Sequence, residues 1–183
     1  ATIDRCHVVP ATLKPVPGGR HYTKQLTPKN EILLAPYNAK NIYMQMYHIE
    51  PLQWNPDEAA VKALFNEYYG GSMGSVVFQE IRESRGLAYN AYAGYQDPSY
   101  KDDCEYAIVH IISQNDKMMD CIRQFHQILD TIPQSEGAFR IAKEAVKKKI
   151  ASSRTTKSAL FSAWLAAKDL GIDYDENERI YKS

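Results

Sequence analysis

Arg82 and Tyr89 stand seven positions apart in a segment that starts at Phe78 and runs through Arg85, Gly86 and Leu87. The spacing predicts Arg82 in the last turn of a helix, Gly86 at the sharp exit, and Tyr89 early on the strand that follows. Such a junction can aim a guanidinium and a phenol at one point. Two strong donors meeting there would suit an oxygen that is gaining negative charge. The plainer alternative pairs Arg82 with a neighbouring glutamate and uses Tyr89 as core. The residues by themselves favour the plainer alternative.

Other residue groups carry less chemistry. Gly70, Gly71, Ser72, Met73, Gly74 and Ser75 resemble a phosphate cradle in glycine content only. The Gly-Lys-Ser/Thr that such a cradle needs is absent, and the loop joins two predicted helices, so it reads as a helix-ending turn. The histidines are His7, His21, His48, His110 and His126, with no HExxH or HxxEH among them. Two imidazoles one helical turn apart are what would face a single zinc ion. Cys104 and His110 share a predicted strand face but lie about 20 Å apart along it, too far to clasp one ion. The expectation is no metal site in this chain and structural histidines. No local signature of a Ser-His-Asp or Cys-His nucleophile is present.

Arg140, Lys143, Lys147, Lys148, Lys149, Arg154 and Lys157 are opposed locally only by Glu144. They read as a solvated helix face, with a surface for an acidic peptide or partner domain as the alternative. No aromatic side chains are interleaved with them, which argues against a nucleic-acid platform.

The elements that must position Arg82 and Tyr89 follow from periodicity. Residues 1–30 are rich in proline and read as an extended linker from a preceding domain. Residues 31–183 read as a single domain. Ile32–Ala35 is a short strand candidate and Asn41–Glu50 a stronger one, whose large side chains on both faces predict cover on both sides, or on one side by another domain. Asn55 caps a helix carrying Val61, Leu64, Phe65 and Tyr68 inward, and Gly70 and Gly71 stop it. Ser72 opens a second helix with Met73, Val77, Phe78 and Ile81 inward. Leu87–Tyr95 and Glu105–Ile112 form an antiparallel hairpin. Next come a helix burying Met118, Ile122, Phe125 and Leu129, and a Ser135-capped helix burying Phe139, Ala142 and Val146. A further helix presents Leu160, Phe161, Trp164 and Leu165 and stops at Gly171. A last helix starts around 173–176. Strands and helices are partly segregated, which predicts an α+β two-layer sandwich with a mainly antiparallel sheet and helices on one face.

The composition is that of an ordinary globular protein: 183 residues, 44% hydrophobic and 24% charged. Twenty-two basic residues balance twenty-two acidic ones, leaving no global field to gather nucleic acid or anionic membrane. No apolar run approaches the roughly 20 residues that cross a bilayer. The three cysteines form no CxxC pair. The first residues do not read as a signal peptide, and the ending at Ser183 reads as a cut from a longer protein.

Phe78–Glu83, the Arg85–Tyr89 run and the preceding Tyr69, Gly70 and Gly71 with their serine-rich turn closely resemble the pitrilysin/insulinase family of zinc metallopeptidases. The match is specific over about residues 66–95 and looser in element order from residue 31 to the end. The resemblance implies the second domain of the non-zinc, C-terminal half of such a protease, with the fold of a pitrilysin or mitochondrial processing peptidase domain. Arg82 and Tyr89 fall on the family's Arg–Tyr pair, so both become expected catalytic and substrate-binding residues. Zinc, its HxxEH helix and the glutamate base are then expected on a catalytic half, fused or separate, and the isolated chain is expected to be inactive. The partners implied are a peptide substrate and that zinc-binding half. The competing class is a non-catalytic scaffold, a processing-peptidase-like subunit that docks to a partner. The compartment stays open between bacterial envelope and cytoplasm.

Overall fold

The computed structural model describes residues 24–172 and 175–183, with positions 6, 11, 12, 14, 15, 17–19 and 22 ahead of them. Much of the 1–30 linker expectation therefore lies outside the described residues, as do 173 and 174. Within the described part, the elements are β1 (Asn41–Gln53), α1 (Ala59–Tyr69) after a 3-10 turn at Pro56–Glu58, and α2, whose α-turn Val76–Phe78 runs into a π-turn at Gln79–Glu83. They continue as β2 (Asn90–Gln96), β3 (Cys104–Gln114), α3 (Met118–Asp130), α4 (Glu136–Ser152), α5 (Lys157–Leu170) and α6 (Glu176–Lys182).

The sheet has the order β1-β3-β2 and is antiparallel throughout. Met44 faces Ile111, Met46 faces Val109, and Ala91 and Ala93 continue that row on β2. Val77 and Ile81 from α2 and Met118, Cys121, Phe125 and Ile128 from α3 close over this face and build the core. Burial of these side chains is the main stabilising term, at about 25 cal/mol per Å² of apolar surface. The result is the α+β layering expected from the segregation of strands and helices.

The described residues cover the opposite face of the sheet only in part: Tyr43 stands 65% exposed there, whereas Ile49 is buried and Lys24 Nζ lies 3.9 Å from the Tyr106 ring centre. Ile32–Ala35 forms no strand: Ile32, Leu33 and Leu34 stand in solvent, and among the described residues no neighbouring strand takes up their backbone groups. Just upstream, Thr27 grips the end of β1, donating its N–H to the Ile49 carbonyl at 3.3 Å while its hydroxyl accepts from the Ile49 N–H at 2.9 Å.

Several inward stripes are rotated from their sequence-based placement. Val61, Met73, Leu129 and Phe139 are exposed, while Tyr69, Cys121 and Ile128 are buried. The cap of α2 is Ser75, which accepts from the Phe78 N–H, and Ser72 instead closes the preceding turn. The outer edge of the sheet is sealed at β2. The Asn66 side chain donates to the Tyr95 carbonyl at 2.9 Å and accepts from the Tyr95 N–H at 2.8 Å, copying a strand neighbour. Gly70 accepts from the Ala93 N–H so closely that a Cβ there would fall 2.6 Å from the Ala93 nitrogen. That approach is why α1 ends in glycine.

Candidate functional site

The loop between α2 and β2 fixes the approach of Arg82 to Tyr89. In the π-turn the Ser84 N–H reaches back to the Gln79 carbonyl at 2.8 Å. Gly86 then takes the left-handed conformation at φ 58°, which glycine adopts without strain. Its N–H bonds the Arg82 carbonyl and the Leu87 N–H bonds the Ile81 carbonyl, at 2.9 and 3.0 Å. Both closures span one residue more than in the usual glycine-ended helix, because the π-turn inserts one.

The far side of the loop is anchored to the sheet and to α3. Ser113 Oγ and Cys121 Sγ both donate to the Leu87 carbonyl, Lys117 Nζ donates to the Gly86 carbonyl at 3.2 Å, and the Tyr89 N–H pairs with the Ile112 carbonyl at 2.8 Å. Ser113 is itself buried. The loop is thus tied by both ends and its middle, a device for holding side chains rather than a loose connection.

The guanidinium carbon of Arg82 lies 4.7 Å from the ring centre of Phe78 and 5.9 Å from that of Tyr89. Tyr89 is 75% exposed and the Arg82 side chain 40% exposed, so neither is sealed in the core. The ionic neighbour of Arg82 is Glu83, with Nε 3.6 Å from Oε1, both groups facing solvent. An exposed pair at that distance contributes little and leaves most of the guanidinium donors free. The plain alternative is therefore half met: Arg82 does approach a glutamate, but Tyr89 is not core. The two side chains that the sequence singled out come together on the surface.

Phe78 also lines an open groove of about 510 Å³ between the Gly70–Met73 turn and β2, with Asn90, Tyr92 and His110 on its wall. Sequence reasoning did not single out Asn90 or Tyr92, and it read His110 as structural. The available signal was the alternation on β2 and β3, which puts Tyr92 opposite His110 on the face away from Ala91 and Val109. Among the described residues no cluster of three or more His, Cys, Asp or Glu side chains could hold a metal ion. Zinc therefore does not fit the donor sets described here.

The family of the peptidase M16 inactive domain matches residues 8–146. This chain belongs to that family. Its fold is shared by solved structures, including these three. The peptidase M16 inactive domain from Pseudomonas fluorescens matches with TM-score 0.57 and 18% identity, over 80% of this chain and 34% of that one. The inactive peptidase domain of a protein from Bordetella parapertussis, designated a zinc protease, matches with TM-score 0.60 and 12% identity, over 82% and 81%. A protease from Helicobacter pylori matches with TM-score 0.55 and 14% identity, over 80% and 39%. The chain thus spans about a third of the Pseudomonas structure and two fifths of the Helicobacter one. No curated protein sequence matches it. The M16 assignment agrees with the resemblance carried by residues 66–95.

Proposed function

We propose that this M16 domain is the substrate-binding, transition-state-assisting half-domain of a zinc metallopeptidase that hydrolyses peptides. The observation that carries the reading is the convergence of Arg82 and Tyr89 at solvent, on an anchored loop, beside an open groove. Zinc and the HxxEH helix belong to another domain or subunit, which supplies the activated water. The work of this chain is done by its own donors. Tyr89 donates its phenolic proton in a hydrogen bond to the carbonyl oxygen as negative charge develops there. Arg82 presents N–H groups to the substrate backbone and keeps the phenol in place. Residues 31–183 act as one unit in this scheme, with 1–30 as its approach from a preceding domain.

The test is kinetic. In the full-length protease, Arg82→Ala and Tyr89→Phe should each lower kcat/KM by on the order of 10²–10³, with zinc content unchanged. Near-normal kcat/KM in either variant would dispose of the reading. The chain by itself should hydrolyse no peptide.

A further inference from the structure

Phe78 has a place that its role as a core residue does not explain. It is only 7% exposed, yet its ring also lines the groove and lies beneath the guanidinium of Arg82 at 4.7 Å. A buried ring is rigid, and its backbone is fixed by the Ser75 cap. The Arg82 side chain, by contrast, has no close hydrogen bond to a carboxylate among the described residues; Glu83 stands 3.6 Å away and in solvent. Without a platform it would sample many rotamers, because an exposed arginine keeps most of its conformational freedom.

A ring face holds a guanidinium differently from a carboxylate. Attraction to the ring quadrupole acts on the flat of the cation and uses none of its five N–H donors. A bidentate carboxylate would hold the same group by consuming two of them. The ring centres of Phe78 and Tyr89 lie 4.7 and 5.9 Å from the guanidinium carbon, and neither contact uses an N–H donor. We infer that Phe78 is a positioning residue: its ring orients Arg82 beside Tyr89 while leaving the arginine's donors available to a peptide carbonyl. This rests on the proposed function above and adds to it the residue that sets the geometry of the pair.

The discriminating experiment replaces Phe78 in the full-length protease by 3,4,5-trifluorophenylalanine, which keeps the shape of the ring and weakens its quadrupole. The expected result is a loss of about tenfold in kcat/KM with unchanged thermal stability. In an Arg82→Ala background the same replacement should change nothing further, since the two residues act as a unit. Loss of activity on Arg82→Ala with no response to fluorination overturns the positioning role and leaves the proposed function standing. No loss on Arg82→Ala overturns the proposed function and the positioning with it. Should the fluorinated protease be poorly produced, the Arg82 Hε resonance of this chain gives a second measurement. Ring current should place it upfield, and Phe78→Leu should move it back towards the position of a free arginine, leaving only the smaller effect of the more distant Tyr89 ring. An unmoved resonance overturns the inference.

Discussion

Arg82 owes its value to shape as much as to charge. Arg82→Lys keeps the positive charge but replaces a flat, forked cation by a point charge on a flexible stem. The expected outcome is a loss of kcat/KM closer to that of Arg82→Ala than to wild type, with KM and kcat both affected. A lysine variant within about twofold of wild type would mean that charge suffices. A second residue-scale prediction concerns Tyr69, whose hydroxyl is buried with no partner among the described residues. Burial, reinforced by the nearby Tyr95, pushes its phenol up to about 12. The unfolded chain then releases that proton before the folded one does. Stability from this group is intact below pH 10 and falls as pH rises towards 12. Tyr69→Phe should match or exceed wild-type stability at neutral pH, since an unsatisfied buried hydroxyl is removed. It should also resist alkaline unfolding better, which a pair of pH-dependent thermal melts would reveal.

The elements were legible to different degrees, and the reasons are physical. The Ser135 cap and the Gly86 and Gly171 exits depend on local chemistry and stand where the sequence put them. The hairpin forms as expected, except that β2 starts at Asn90 rather than Leu87, which leaves Tyr89 one residue ahead of the strand. Stripe orientation was less legible because it depends on what lies across the interface. On α1, Tyr69 rather than Val61 turns inward, since Tyr69 sits where the helix meets the sheet edge and Phe65 stacks on it at 5.0 Å. A π-turn has no sequence signature, so the widened exit that carries Arg82 was invisible, although Arg82 and Tyr89 themselves were singled out. Groove residues such as Asn90 and Tyr92 were hidden for another reason: they acquire meaning only once β2 is registered against β3. At this scale Gly70→Ala should be costly, because its added Cβ would collide with backbone at Ala93 rather than with a yielding side chain. A loss of several kcal/mol, or failure to fold, is the expected result; Gly18→Ala, which meets nothing within 4 Å, is the matched control.

Across the molecule, one polar knot joins parts distant in sequence. Lys62 Nζ reaches Asp97 and Glu105, each at 2.8 Å, and the Trp54 indole donates to Asp97 at 3.2 Å. Desolvation lowers the Lys62 ammonium, but the hydrogen bonds it donates to Asp97 and Glu105, with their negative charge, outweigh it and leave the group raised. Lys62→Met would strand two carboxylates together and should cost about 2 kcal/mol, read by denaturant unfolding at neutral pH. Glu176 on α6 sits in the same knot. Its carboxyl is held above the usual range by burial first and then by Asp97, against the pull of Lys62 and Arg179. A raised carboxyl favours the fold when protonated, so this contribution is present in acid and lost as pH rises through the folded value. Glu176→Gln should therefore stabilise at neutral pH, with the gain shrinking on acidification; an equal gain at every pH would contradict that account. The sealed margin at Asn66 and Gly70 has a consequence of its own. Among the described residues the flank left open is β1 beyond the Thr27 contact, so a foreign strand would join there and a fibril seeded by the domain would elongate from that side. Stripping the amide from Asn66 would unlock the second flank and turn a one-way template into a two-way one.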